Sequence, residues 1–224
     1  MNSELKVARL FPVPLGMVDL SEELDKKEVR TLVEFASDIN NVKLNQNRNL
    51  NTIDSYILRN QKLPTSKLNE TLNKYLNAFA YNVMGYEDIA KFYITQSWLN
   101  VNPKGTSHHR HLHPNSIISG VLYLQSDDRC GNIIFHKDEH AIRNSTIKLC
   151  KKKDENGINE ANNEWISINP AQYTLILFPS TLEHSVNVSD SLQNRISLSF
   201  NTFVKGKITA QDRDHDSLTE LLLD

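Results

Sequence analysis

The chain has 224 residues, 39% of them hydrophobic and 23% charged, with a formal net charge of −2. That length can bury the core of one domain, and the near-neutral charge argues against a broad basic surface built to hold nucleic acid, though not against a local basic groove. No apolar run approaches the roughly 18 residues of a membrane span.

The N-terminal stretch MNSELKVARLFPVPLGMVDL lacks the basic and apolar regions of a secretory leader, and Cys130 and Cys150 form no CxxC pair. A cytoplasmic protein with two reduced thiols is therefore expected. SEELDKKEVRTLVEFASDIN starts with Ser21 as an N-cap and places acids in the first turns, where the helix dipole favours them. Leu24, Val29, Leu32, Val33 and Phe35 follow helical spacing. Residues 41–63, rich in Asn and Gln, read as irregular. TSKLNETLNKYLNAFAYNVMG predicts a second helix, capped by Thr65 or Ser66, striped by Leu68, Leu72, Leu76 and Phe79, and ended by Gly85.

From residue 91 the texture changes. KFYITQSWLNV, SIISGVLYL, NIIFHK, EWISI, YTLILF and RISLSFNTFV are short β-rich runs separated by Gly, Pro and Asn. KKKDENGINEANNE reads as a solvated loop or hairpin. The tail ITAQDRDHDSLTELLLD either docks as a short helix or frays. Helices followed by many short strands predict a single domain over 1–224: a helical buttress over 1–90, a jelly-roll core over 91–204 and a tail over 205–224. Oligomeric state is not encoded legibly, since edge strands pair or stay free.

Four of the eight histidines fall within residues 108–113, HHRHLH. In an extended segment residues two apart share a face, so His111 and His113 present two imidazoles together. His109 has the same parity but lies deeper in the loop. Far downstream, Pro179 breaks an apolar run and His184 opens the next β-like segment, HSVNV. Jelly rolls bring such strand ends together, which makes His184 the best third ligand. Three imidazoles suit Fe, Zn, Cu or Ni, and a facial set with open positions suits chemistry on a bound substrate.

RISLSFN alternates strictly, with Arg195, Ser197, Ser199 and Asn201 on one face and Ile196, Leu198 and Phe200 on the other. Its polar face is suited to water or to the inside of a barrel. In the second case Arg195 and Ser197 form a clamp for a carboxylate. Trp98, Asn100 and Asn115 are candidates for the mouth.

The ordered set HxH before SGVLYL, then FPSTLEHSV, then RISLSFN, resembles a small bacterial and phage branch of the Fe(II)/2-oxoglutarate-dependent oxygenases. LFPVP near the start and SWLNV before the histidines resemble that branch too. The resemblance spans most of residues 92–204 and implies a double-stranded β-helix, a cupin-like jelly roll. It implies Fe(II), 2-oxoglutarate as co-substrate and O2 as oxidant, with the substrate left open. By the same resemblance His111 and His184 are metal ligands and Arg195 and Ser197 hold the far carboxylate of 2-oxoglutarate. Tyr123 assists them, and Ser119, four residues before it on the same strand, is a weaker candidate for that pocket.

Most of that superfamily has Asp or Glu where this chain has His113. A third neutral ligand leaves the charge of the ion uncompensated by protein. The alternative is a cupin-type metal protein that does not use 2-oxoglutarate. Gly105 and the HxH fit the start of the cupin pattern, but PNSIISG holds no acid and no PxG precedes His184.

Overall fold

The computed structural model describes residues 12–45, 48–137, 163–208 and 220–221. Cys150, residues 151–162 of the polar loop, the start of LFPVP and most of the tail lie outside them.

Strand β1 (Gly16–Asp19) leads through a turn into helix α1 (Lys26–Ser37). The helix is capped by Asp25, not Ser21: the Asp25 carboxylate accepts from Lys27 N at 2.9 Å and Glu28 N at 3.4 Å. Residues 21–24 instead form a turn in which Leu24 N donates to Leu20 O, which buries both leucines. Residues 41–63, expected to be irregular, contain the hairpin β2 (Val42–Leu44) and β3 (Leu50–Thr52), followed by a single helical turn at Ile57–Arg59. The asparagines made this segment look like loop. Its regularity comes from pairing, since β3 adds to the central sheet through Leu50↔Val101 and Asn51↔Asn100.

Helix α2 (Ser66–Asn77) and the wider turn Ala78–Val83 bury Leu68, Leu72, Leu76 and Phe79, and the chain leaves through Gly85 at φ +72°. Thr65 occupies the cap position, but its hydroxyl bonds Leu58 O. The capping carboxylate comes from the other helix: Glu28, buried, accepts from Lys67 N at 3.2 Å and Leu68 N at 2.8 Å. That charge at the positive end of α2 ties the two helices together.

The remaining strands are β4 (Ala90–Asn102), β5 (His108–His111), β6 (Ile118–Gln125), β7 (Ile133–His136), β8 (Trp165–Ile168), β9 (Thr174–Pro179), β10 (His184–Val186), β11 (Arg195–Lys207) and β12 (Glu220–Leu221). They form two sheets. The larger has the order β1-β9-β6-β11-β4-β3-β2, with β12 on β11; the smaller has the order β5-β10-β7-β8. Among the described residues every strand pair is antiparallel, and strands distant in sequence lie side by side, which is the jelly-roll arrangement of a double-stranded β-helix.

The 1–90 segment is thus not purely helical, because β1 forms one edge of the larger sheet and the β2–β3 hairpin the other. The expected tail starts inside β11, which runs to Lys207, and its described end, Glu220–Leu221, is neither helix nor free, since it pairs with Gly206–Lys207.

Both faces of the larger sheet are covered. Ile196, Leu198, Phe200, Leu99, Val101 and Leu122 face the helices in one apolar core with Leu32, Leu72 and Leu76. Val121, Tyr123, Ile176 and Phe178 face the smaller sheet and pack with Ile133 and Phe135. The alternation of β11 therefore puts its polar residues between the two sheets and not in water, and Arg195 is only 3% exposed. Among the described residues, no helix is long and apolar enough to cross a membrane.

Candidate metal centre and carboxylate pocket

Pairing of β5 with β10 sets His111 opposite His184. His113 lies just past the end of β5, where its N–H donates to Ser180 O at 3.0 Å. One ligand nitrogen from each of the three imidazoles falls within 4.8 Å of the others, and the His111 and His113 Nε2 atoms are 3.2 Å apart. Two adjacent ligands about 2.1 Å from one ion lie roughly 3 Å apart, so this spacing fits cis positions on a metal.

The rings are held in the required sense. His111 Nδ1 donates to His109 O at 2.8 Å and His184 Nδ1 donates to Leu182 O at 3.0 Å. A carbonyl can only accept, so each neutral ring keeps its proton on Nδ1 and its lone pair on Nε2. Burial lowers the pKa of all three, His184 to about 3 and His113 to about 4, with neighbouring histidines adding to the effect. At neutral pH no proton has to leave before a cation binds.

The cleft beside these rings opens to solvent, and among the described residues no acidic side chain lines it. Its far wall is one row of side chains set by register on three strands of the larger sheet. Arg195 lies opposite Asn102 of β4, Ser197 lies between Tyr123 of β6 and Asn100 of β4, and Ser199 lies between Val121 and Trp98. Arg195 Nη2 donates to Asn102 Oδ1 at 2.9 Å and Nη1 to Gly131 O at 3.3 Å, while its buried Nε has no partner.

Among the described residues no carboxylate pairs with Arg195. A buried guanidinium with only neutral partners and one orphaned donor is costly, and an anionic ligand in this cleft would complete it. Tyr123 stands beside it, with the Arg195 guanidinium carbon 5.9 Å from its ring centroid. Burial pushes the Tyr123 hydroxyl up to about 12, so it stays protonated and can donate. A dicarboxylic oxo-acid reaching from the three imidazoles to Arg195 fits the donor set of this cleft.

Of the residues singled out from sequence, His111, His113, His184, Arg195, Ser197 and Tyr123 all line this cleft, as do Trp98 and Asn100. Ser119 does not. Its parity matches that of Tyr123, but β6 runs past the metal end of the cleft, and the Ser119 hydroxyl sits behind His113 with its Oγ 2.7 Å from His113 Nδ1. Asn115 is an exposed turn residue at φ +58° and lines nothing.

His108 was missed. The parity argument fails there because three residues of β10, His184 to Val186, face four of β5, His111 to His108, an irregularity that turns His108 towards His111. Its ring stacks on His111 at 4.6 Å and 17° and lines the cleft. His108, His109 and His111 form a second close trio, but His109 is exposed and stacked parallel rings do not aim their lone pairs at one point. Asn102, which carries Arg195, left no signal in the sequence beyond being polar in a strand.

Residues 96–201 match the model of a family described as "Putative 2OG-Fe(II) oxygenase". Among solved structures, a 2OG-Fe(II) oxygenase family oxidoreductase from Burkholderia pseudomallei aligns with a TM-score of 0.57 at 16% identity, covering 84% of this chain and 83% of that one. A Pseudomonas putida prolyl-4-hydroxylase aligns with a TM-score of 0.54 at 16% identity, covering 84% and 92%. HygX from Streptomyces hygroscopicus, solved with nickel and 2-oxoglutarate bound, aligns with a TM-score of 0.57 at 11% identity, covering 95% and 93%. At these identities the likeness is one of fold. No curated protein sequence matches the chain.

Proposed function

We propose, from the premise that this chain belongs through residues 96–201 to the 2OG-Fe(II) oxygenases, that His111, His113 and His184 hold the iron. In the same reading Arg195, Ser197 and Tyr123 hold the distal carboxylate of 2-oxoglutarate. The activity class is that of an Fe(II)- and 2-oxoglutarate-dependent dioxygenase. When bound, the iron supplies the redox chemistry by which O2 converts 2-oxoglutarate to succinate and CO2 while one oxygen atom enters a substrate C–H bond, which side chains alone cannot do.

The chain's own residues bind, orient and exclude water. Three imidazoles already neutral, two of them with the tautomer set by a carbonyl, bind a cation with little reorganisation. The Arg195 guanidinium, held by Asn102 and Gly131 O, gives the co-substrate a fixed charge at the far end of the cleft. Ser197 and Tyr123, opposite each other on neighbouring strands, offer hydroxyls beside that charge. Val121, Ile133, Phe178 and Val186 complete the wall with apolar surface, which strengthens every polar contact inside.

The observation that carries this reading is the unpaired, buried Arg195 in the same cleft as three converging imidazoles. The cupin-type alternative is not favoured, because it gives that guanidinium no task. A cytoplasmic setting, where iron stays ferrous, suits the reading and agrees with a buried, free Cys130.

Anaerobic titration with Fe(II) and then 2-oxoglutarate, followed by visible absorption, tests it. A metal-to-ligand charge-transfer band is expected only when both are present. Well-folded, iron-loaded protein that shows no band overturns the reading.

A further inference from the structure

The proton on His113 is not fixed by a carbonyl, as it is for His111 and His184. Its Nδ1 faces the Ser119 hydroxyl, a group that can donate or accept. Were Ser119 to donate, the His113 proton would move to Nε2, and the ring would present an N–H where a lone pair is needed.

The surroundings of Ser119 decide the direction. Its Oγ lies 2.8 Å from Ser180 Oγ and 3.1 Å from Asn201 Oδ1, and Ser180 Oγ lies 2.7 Å from Ser116 Oγ. At the far end Thr202 N–H donates to Ser116 Oγ at 3.2 Å. Ser116 Oγ has a carbonyl partner of its own, Ile118 O at 3.2 Å, while at the other end Asn201 Oδ1 can only accept, and Ser119 donates to it. The Ser119 proton is therefore held by Asn201, whichever way the bonds among Ser116, Ser180 and Ser119 are polarised. With its own proton committed to Asn201, Ser119 keeps a lone pair for His113, and it accepts from His113 Nδ1–H. Ser119 and Ser180 are both fully buried, so water does not compete for these bonds.

We infer that Ser119 and Asn201 are positioning residues that keep the His113 proton on Nδ1 and so turn the His113 Nε2 lone pair towards those of His111 and His184. The inference rests on the metal reading given above. It also assigns Ser119 a task other than contact with 2-oxoglutarate. Where a carboxylate or carbonyl would fix a ligand histidine by its own nature, this chain does so through a serine whose own proton is held by an amide oxygen.

Nitrogen-15 NMR of histidine-labelled, metal-free full chain reads the tautomer directly, with the His113 signals identified by their loss in His113→Asn. The Nδ1–H form is expected in the wild type, and an Nε2–H form overturns the inference whether or not any variant folds. Anaerobic Co(II) titration then reads its consequence through affinity and the cobalt absorption spectrum. Ser119→Ala and Asn201→Ala are expected to weaken binding about 10- to 100-fold, while Ser119→Thr, which keeps the hydroxyl, restores affinity. Folded Ser119→Ala that binds Co(II) with wild-type affinity and spectrum overturns the role of Ser119 while leaving the metal site standing. Wild-type protein that binds no Co(II) removes the metal site itself, and the inference with it.

Discussion

The two faces of β11 are made of alternate residues of one strand, yet they do opposite work. Towards the helices, Ile196, Leu198 and Phe200 are fully buried in the larger apolar core. Towards the smaller sheet, Arg195, Ser197 and Ser199 are also buried, but against histidines, asparagines and a tyrosine. Each fully buried aliphatic side chain contributes about 1.5–3 kcal/mol, whereas a buried guanidinium without a carboxylate costs free energy. One face supplies the stability that lets the other keep a charge in waiting. Substitutions on the two faces should therefore separate folding from binding.

The largest effect expected is for Leu198→Ala on the helix side. It should lower unfolding free energy by about 2–5 kcal/mol, read from urea denaturation, with 2-oxoglutarate affinity of the folded fraction unchanged. A loss of affinity at intact stability would break the division between the faces. Arg195→Met on the opposite face should do the reverse. Metal-free stability should hold or rise, because the unpaired charge is gone. Affinity for 2-oxoglutarate should fall by about 2–5 kcal/mol, roughly 30-fold or more, with metal binding spared in calorimetric titration.

Glu28→Ala probes the helix layer without touching β11. Loss of the carboxylate that caps α2 should cost about 1–2 kcal/mol in thermal or urea unfolding, with no change in metal or co-substrate binding. Ser197→Ala should have the smallest effect, weakening 2-oxoglutarate by about 0.5–1.5 kcal/mol and leaving the unfolding midpoint where it was. A Ser197→Ala effect as large as that of Arg195→Met would mean that the hydroxyl, and not the charge, anchors the ligand.

Much of this arrangement could be read before any coordinates, and the reason is periodicity. Alternation in RISLSFN separates the two faces of β11, and helical spacing marks Leu68, Leu72, Leu76 and Phe79 as a buried stripe. Those signals are local. The features that escaped depend on partners far along the chain. β3 is regular only because β4 lies beside it, and α2 is capped only because Glu28 reaches across from α1. Ser119 follows the parity of its strand, but which end of the cleft it meets depends on how β6 lies against β11 and on where Ser180 falls. His108 escaped for a different reason: an irregularity in the β5–β10 pairing breaks the two-residue rule at the histidine run itself. Sequence pattern reports which way a side chain faces, and register determines what it faces.

The orphaned Nε of Arg195 has a thermodynamic consequence. A ligand that completes this guanidinium binds the native state and not the unfolded chain, so its free energy adds to that of folding. Above saturation, each tenfold rise in 2-oxoglutarate concentration adds about 1.4 kcal/mol to the stability of the metal-loaded protein. Its lifetime against heat and proteolysis then follows the supply of the acid it consumes, and starvation for that acid leaves the enzyme easier to unfold.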